Sequence, residues 1–395
     1  MSTTAEQRIE KAITSGSREL DLSRLGLREL PDSLHNLTDV TKLHLQDNEL
    51  SALPDFLGDL TNLGWLFLGG NRITELPHSL GNLRNLAALY LDRNPLTAVP
   101  DSLGNLTVLA QLGMSGCGLT ELPAVLCDLT ALTHVNLSDN QLTALPESLG
   151  RLSALIRLEL HSNRLIRLPD ALGNLAHLTW LNLHDNKLVE LPDSVGDLRN
   201  LQELRLADNR LAALPESLGD LAALKNLNLG GNELVDLPDS LGNLTNLTRL
   251  SLGGNRLKVL PDTLGNLSKL TELDLDRNEL ETLADTLGNL ANLEELGLHR
   301  NRLTALPETL GNLSSLTLLY LHGNQLTTLP EPLGNLTALE ELNVADNHLT
   351  ALPDTLGNLT NLRHLKLDRN PITALPGGLR SLTDLTIVGG PSPTE

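Results

Sequence analysis

Residues 43–65 read Leu-His-Leu-Gln-Asp-Asn-Glu-Leu-Ser-Ala-Leu-Pro-Asp-Phe-Leu-Gly-Asp-Leu-Thr-Asn-Leu-Gly-Trp, which is one full period of the chain. The Asn of Leu-x-Leu-x-x-Asn recurs every 23 residues from Asn48 to Asn370, with Cys117 at one of these markers. A degenerate unit at residues 20–25 makes 16 units, and 14 of the 16 marker positions hold Asn. The chain is therefore an array of one repeated structural unit.

Each part of the repeat predicts a local structure. Leu-x-Leu alternates as in a short strand with one buried face. Three residues cannot bury that face alone, so successive units must stack in parallel around a shared leucine core. The Asn lies at a sharp turn, where its amide can bond backbone groups that would otherwise be unpaired in the interior.

The Leu-Pro-Asp-Ser-Leu-Gly segment predicts a short helical or 3-10 turn on the return side. Pro suits the first helical position, the acid favours the N-terminal dipole, and Gly ends the turn. This Pro occurs in 15 of the 16 units, and Ala284 is the exception. Because strands are about 4.8 Å apart and the return segments are bulkier, the stack must curve. We expect an α/β solenoid shaped as a right-handed horseshoe, with its parallel sheet on the concave face and its turns on the convex face.

The pattern over residues 18–388 resembles the leucine-rich-repeat family, in particular the 23-residue Leu-Pro type of intracellular Ras-binding scaffolds and of Roco proteins. The opening from Arg8 to Ser23, followed by Gly26-Leu27 and Leu30-Pro31, is similar to the entry segment of bacterial members. The resemblance implies a scaffold that binds a protein partner, such as a small GTPase or a signalling protein. A GTPase loop of the form Gly-x-x-x-x-Gly-Lys-Ser/Thr does not occur in the sequence.

Composition restricts the function further. The formal net charge of −20 argues against nucleic acid, because phosphate binding needs a basic stripe. Of the 49 acidic residues, 13 occupy the position after the conserved Pro, which we interpret as a solvated edge. Cys117 and Cys127 are too few for a disulfide framework. With no signal segment and no apolar stretch of about 20 residues, we expect a cytoplasmic monomer that binds neither membrane nor cofactor.

The ends of the array need separate treatment, because a stack exposes its core there. We predict an N-terminal capping helix over residues 1–17, the repeat array over 18–388 and a flexible tail over 389–395. Thr3 and Glu6 could form a capping box, and Ile9, Ala12 and Ile13 form one apolar stripe. Residues 386–395 contain no amphipathic cap, so this end is either weakly shielded or covered by a partner.

The outward strand positions carry the functional hypothesis. Five of the six aromatic residues fall on them, and exposed aromatics are the side chains most often used as binding hot spots. One predicted patch consists of Trp65, Phe67, Tyr90, Lys42 and His44. The alternative is that these rings only cover neighbouring glycines.

Two further groups are predicted to contact a partner, although a solvated strand surface is the alternative for any single charge. The first contains Arg157, Trp180, His161 and His184, beside His134 and Glu159; the second contains Asp274, Asp276, His299, Tyr320 and His322, beside Leu318, Glu272 and Glu295. His161 with His184, or Asp276 with His299 and His322, could instead converge on a metal ion.

These observations predict a non-enzymatic interaction module that binds a protein on its concave face. Two alternatives remain open at this point. One is a metal-dependent or catalytic site built on the concave histidines, and the other is a structural spacer without a ligand.

Overall fold

A computed structural model describes residues 2–390 of the chain, with side chains from residue 4 onward. The chain divides into two compact units, a first unit of residues 1–187 and a second unit of residues 188–395. Both units repeat the same two elements, a three-residue strand and a five-residue 3-10 helix. The tail residues 391–395 lie outside the described residues, so the prediction of a flexible tail stays a prediction.

The first unit begins with helix α1 (Ser2–Ser15) and continues as a parallel sheet. Leu43 pairs with Leu66, which pairs with Leu89, so equivalent residues of successive repeats lie side by side. The strands are β1 (Glu19–Asp21), β2 (Lys42–His44), β3 (Trp65–Phe67), β4 (Ala88–Tyr90), β5 (Gln111–Gly113), β6 (His134–Asn136), β7 (Arg157–Glu159) and β8 (Trp180–Asn182).

The second unit has the same in-register parallel pairing. At the last step Leu365 pairs with Ile387, so the spacing between equivalent residues falls from 23 to 22. The strand that contains Ile387 adds one unit to the 16 expected. The strands are β9 (Glu203–Arg205), β10 (Asn226–Asn228), β11 (Arg249–Ser251), β12 (Glu272–Asp274), β13 (Glu295–Gly297), β14 (Leu318–Tyr320), β15 (Glu341–Asn343), β16 (His364–Lys366) and β17 (Thr386–Val388). The predicted solenoid of parallel strands and short turns is confirmed.

The return segments are 3-10 helices. In the first unit they span Asp32–Asn36, Asp55–Asp59, His78–Asn82, Asp101–Asn105, Ala124–Asp128, Glu147–Arg151 and Asp170–Asn174. In the second unit they span Asp193–Asp197, Glu216–Asp220, Asp239–Asn243, Asp262–Asn266, Asp285–Asn289, Glu308–Asn312, Glu331–Asn335, Asp354–Asn358 and Gly377–Ser381.

Two details of the turn prediction were wrong. Pro54 precedes the helix instead of starting it, and its carbonyl oxygen accepts the N–H of Leu57 at 3.1 Å. Gly58 lies inside the helix and does not end it. Its role is close packing, because a Cβ at Gly58 would lie 2.2 Å from the carbonyl oxygen of Ser79 in the next repeat.

The marker asparagines form a buried ladder of hydrogen bonds that joins neighbouring repeats. The Nδ2 of Asn71 donates to the carbonyl oxygens of Leu68 at 2.8 Å and Leu45 at 3.0 Å, and its Oδ1 accepts the N–H of Leu50 at 3.1 Å. The predicted role of the Asn is therefore confirmed. At Cys117 weaker contacts of Sγ with the carbonyl oxygens of Leu91, at 3.4 Å, and Ser115, at 3.7 Å, replace it.

Helix α1 packs on the first repeat with a different face from the one predicted. Ala5, Ile9 and Ala12 are buried, whereas Ile13 is 46% exposed, because an i, i+4, i+7 stripe excludes the residue next to Ala12. Glu6 accepts a hydrogen bond from Ser33 at 2.5 Å, and the side chain of Thr3, its predicted capping partner, lies outside the described residues.

The asparagine ladder predicts a large cost for removing one amide. In Asn255→Ala we expect the free energy of unfolding to fall by about 2–3 kcal/mol, since the buried N–H of Leu234 and the carbonyl oxygens of Leu229 and Leu252 lose their partner. Chemical denaturation measures this. Asn292→Ala, which removes one exposed hydrogen bond to the Ser268 carbonyl oxygen, is the matched control and should change stability by less than about 1 kcal/mol.

The close glycine contact gives a second prediction. In Gly265→Ala the new Cβ would lie 2.4 Å from the carbonyl oxygen of Thr286, and we expect a loss of about 2–3 kcal/mol through overpacking. At Gly377 no atom lies within 4 Å of such a Cβ, so Gly377→Ala should change stability by less than about 0.5 kcal/mol. Equal denaturation midpoints for the two variants would contradict this account.

Candidate functional site

Two rows of side chains lie on the exposed face of each sheet. Row one is the first residue of each strand and row two is the third, while the leucine between them is buried, as at Lys42, Leu43 and His44. Residues two positions after the strand form row three. The five aromatic residues predicted for this face are each half-buried, so none lies inside the leucine core: Trp65, Phe67, Tyr90, Trp180 and Tyr320.

The first predicted patch forms a continuous stack, which we call the aromatic ladder (His44, Phe67 and Tyr90). The rings of His44 and Phe67 are parallel within 3° with centroids 4.5 Å apart, and those of Phe67 and Tyr90 are parallel within 2° at 5.1 Å. The spacing follows from the strand separation of about 4.8 Å, because the three residues occupy the same position on neighbouring strands. Trp65 stacks beside Phe67 at 6.2 Å, and the Lys42 Nζ lies 5.8 Å from the Trp65 ring.

Polar residues hold both ends of the ladder. At one end, the His44 Nε2 lies 3.1 Å from the Glu19 Oε1. At the other, the Tyr90 hydroxyl donates to the Gln111 Oε1 at 2.6 Å, and its ring occupies space that a Cβ at Gly113 would need, at 2.8 Å. Sequence reasoning missed Gln111 and Gly113; the only signal was the missing side chain directly after three rings in one row.

The second predicted group is centred on Arg157. Its guanidinium lies 4.2 Å from the Trp180 ring, and its Nε and Nη2 contact the Glu159 Oε1 at 2.8 and 2.7 Å. Glu159 is only 8% exposed, so the ion pair fixes the arginine over the tryptophan. His134, on the strand before, is exposed.

His161 and His184 lie in row three of the same unit, at equivalent positions of neighbouring repeats. The His161 Nδ1 lies 3.2 Å from the Asn182 Nδ2 and 3.4 Å from the Glu159 Oε2. The backbone N–H of His184 donates to the Asn182 Oδ1 at 3.2 Å. The hydrogen bonds of Asn182 therefore link these two positions.

The third predicted group, in the second unit, is built around a carboxylate and two histidines. The His299 Nδ1 lies 2.6 Å from the Asp276 Oδ2, and the His299 and His322 rings stack at 4.3 Å. Stacked rings turn their faces, not their nitrogens, to each other, which does not suit shared metal ligation. Across the described residues, no group of three or more His, Cys, Asp or Glu side chains is placed to hold a metal ion.

Burial perturbs the protonation of this group. It raises the pKa of Asp276 to about 7, helped by repulsion from Asp274, and lowers the pKa of His299 to about 4. Burial also lowers the pKa of His322 and raises that of Tyr320. Burial and the nearby Glu272 and Asp274 raise the pKa of Glu295.

Of the acidic residues in and beside this group, Glu272 forms an ion pair and Asp274 accepts a hydrogen bond. The Arg249 Nε lies 2.9 Å from the Glu272 Oε1, and the Ser251 hydroxyl donates to Asp274 at 2.9 Å. Leu318 is half-buried in row one, next to Glu295. The structure thus brings the predicted residues of each group together, and their role in binding stays a prediction.

Family models match most of the array. A model described as leucine-rich repeat region matches residues 18–117, 170–296 and 217–322. Other leucine-rich-repeat models match residues 130–188, 315–336 and 337–381. The chain belongs to the leucine-rich-repeat family. The narrower likeness to Roco-associated repeats stays a prediction, and the chain matches no curated protein sequence.

Solved structures support this assignment. A leucine-rich-repeat protein of Leptospira interrogans is 32% identical with a TM-score of 0.73, over 96% of this chain and 98% of that one. The ectodomain of the Arabidopsis thaliana receptor kinase GASSHO1/SCHENGEN3, solved in complex with CASPARIAN STRIP INTEGRITY FACTOR 2, is 32% identical with a TM-score of 0.73, over 94% of this chain and 50% of that one. Toll from Drosophila, solved in complex with Spatzle, is 27% identical with a TM-score of 0.78, over 90% and 52%.

Among the described residues, none of the helices has the length and apolar character that a membrane span requires.

The paired pKa shifts predict a pH dependence that appears when one partner is removed. Between pH 4 and 6.5 the native chain keeps a proton on Asp276 that the unfolded chain has lost, and lacks one on His299 that the unfolded chain carries. The contributions of Asp276 and His299 to the pH dependence have opposite signs, so the net contribution of this pair to stability changes little with pH. In Asp276→Asn only the histidine term remains, and the urea midpoint should rise more steeply from pH 4.5 to 6.5 than in the native chain.

His299→Gln is the matched variant for this experiment. In His299→Gln only the contribution of Asp276 remains, so the stability of this variant should fall as pH rises from 4.5 to 7. Parallel midpoint profiles for the native chain and both variants would show that the pair does not exchange protons on folding.

Proposed function

We propose that this chain is a non-enzymatic interaction module that holds a protein partner on the exposed sheet face of its first unit. The single observation that carries the proposal is the aromatic ladder with the adjoining Trp65 and Lys42. The whole chain has only six Phe, Trp and Tyr residues, and three of them lie together at this place.

The ladder has the physical properties of a binding hot spot. Its rings are half-buried, so each leaves apolar surface that a partner can remove from water. Stacking within 3° and hydrogen bonds at both ends fix the rings before binding, which reduces the entropy lost when a complex forms. Large, rigid and partly polar side chains supply most of the binding energy in protein interfaces.

Related structures support a protein partner. Two of them were solved in complex with a further protein, CASPARIAN STRIP INTEGRITY FACTOR 2 in one and Spatzle in the other. Both chains are about twice as long as the part that matches, so their particular ligands are not transferred to this chain.

Several narrower statements belong to the same proposal. From the repeat type we infer a partner in GTPase-linked signalling, a small GTPase or another signalling protein, met in the cytoplasm by a monomeric chain. The residues Arg157, Trp180, His161, His184, Asp274, Asp276, His299, Tyr320 and His322 are secondary contacts in this proposal.

A capture experiment tests the proposal. The full chain and the variant Trp65→Ala/Phe67→Ala/Tyr90→Ala are immobilised, and bound proteins are quantified by mass spectrometry. We expect the triple variant to lose a specific partner at least tenfold, because it loses the stacked rings while the leucine core stays intact. Equal denaturation midpoints establish that the variant is folded.

The control removes apolar area away from the sheet face. Val108→Ala/Ile166→Ala truncates two side chains that are 48% and 49% exposed outside the strands, and it should retain the partner. If the native chain and the triple variant captured the same proteins in the same amounts, the ladder would have no binding role and the spacer interpretation would be favoured.

A further inference from the structure

Row one of the first unit lacks negative charge from β2 to β8, with Glu19 of β1 as its one carboxylate, although the chain as a whole has a net charge of −20. The equivalent row of the second unit contains four glutamates, Glu203, Glu272, Glu295 and Glu341. From β2 to β8, in contrast, no carboxylate occupies row one, whose residues are Lys42, Trp65, Ala88, Gln111, His134, Arg157 and Trp180. This contrast separates the first unit from the acidic remainder of the surface.

The same arrangement of a cation beside a tryptophan occurs twice in this row. Lys42 lies one strand before Trp65, and Arg157 lies one strand before Trp180. The distances to the indole rings are 5.8 Å for the Lys42 Nζ and 4.2 Å for the Arg157 guanidinium. The two pairs are five strand steps apart, or about 24 Å at about 4.8 Å per step.

Carboxylates near the two pairs are already engaged. Glu19 contacts His44 at 3.1 Å, and Glu159 binds Arg157 through one oxygen. Within the described residues Lys42 has no carboxylate at ion-pair distance, and the Nη1 of Arg157 takes no part in the contact with Glu159. Both cations therefore retain N–H donors for a further acceptor.

Apolar ring surface lies between the two cations. Ala88 is fully buried, and the Tyr90 ring and the Asp92 carboxylate occupy the space at Gly113, so neither position receives a side chain from a partner. The Trp65 ring is half-buried and stacks beside Phe67. An apolar side chain of a partner can therefore pack on the exposed part of Trp65, next to Lys42.

We propose that row one of β2–β8 is the docking surface for an acidic segment of a protein partner, with an apolar side chain against Trp65 and carboxylates at Lys42 and Arg157. This proposal rests on the proposed function and specifies the chemistry of the partner. Carboxylate pairs with guanidinium in a planar, two-bond geometry, and each tryptophan supports the cation beside it. Acidic residues elsewhere on the chain would repel the same segment, which restricts it to this row.

Peptide selection tests the proposal without a known partner. Phage-displayed random 12-residue peptides are selected on the full chain and counter-selected on Trp65→Ala/Trp180→Ala. We expect the selected sequences to be enriched in Asp and Glu around a Leu or Phe. The two tryptophans of the chain are Trp65 and Trp180, so intrinsic fluorescence then reports directly on binding of the synthetic peptides.

Charge variants measure the contribution of each cation. We expect Lys42→Gln and Arg157→Gln each to raise the dissociation constant at least tenfold, and 0.5 M salt to weaken binding similarly. Arg249→Gln, which breaks an exposed ion pair with Glu272 in the second unit, is the matched control and should leave affinity unchanged. If Arg157→Gln unfolds because Glu159 loses its partner, the affinity of Lys42→Gln and the salt dependence of binding still test whether the cations bind the acidic peptide.

Three results would overturn the proposal: no selected peptide, selected peptides without acidic bias, or equal binding to the tryptophan double variant. Effective competition by a 12-nucleotide DNA strand would also overturn it in favour of a general anion site. If a partner were lost from the aromatic triple variant in the capture experiment while the peptides showed no acidic bias, the proposed function would stand and only the acidic partner would fail.

Discussion

The asparagine amide at the turn of each repeat is the interaction on which the whole array depends. It binds three backbone groups, one of them in its own repeat and two in the repeat before, as Asn71 does with Leu68, Leu45 and Leu50. These groups are buried, so each of them needs a hydrogen-bond partner within the protein. The ladder holds each strand at a fixed height and in register with its neighbour. Everything on the exposed face, including the parallel rings of the aromatic ladder, follows from that fixed register.

Much of this structure could be predicted from the period alone. A repeat of 23 residues with Leu at alternating strand positions determines which side chains are buried, and Lys42, Leu43 and His44 follow the rule without exception. The same rule placed Trp65, Phe67 and Tyr90 on one surface, because equal positions in successive repeats must be neighbours. It also placed Asp276, His299 and His322 in one row. The register of a repeat array is thus a long-range contact map that can be read from the sequence.

What the sequence could not predict depends on side-chain and backbone packing that forms only in the folded chain. The Gly of the turn looked like a helix terminator, yet its function is to admit the Ser79 carbonyl of the next repeat, a contact that exists only after stacking. Ile13 was assigned to the buried face of α1, but the exposed side of a short helix tolerates an isolated apolar residue. The Tyr90–Gln111 bond and the packing of the Tyr90 ring over Gly113 depend on side-chain rotation, which no pattern of residue types encodes.

One repeat departs from both packing rules at once. Cys117 stands where the amide should be, and Cys127 stands where the close glycine should be. In a linear array, cooperativity is transmitted only from neighbour to neighbour. A repeat that is weakly coupled on both its turn and its return side acts as a boundary for local opening. The four repeats before it contain the entire aromatic ladder, so the ladder lies between the first repeat of the array and this weakly coupled repeat.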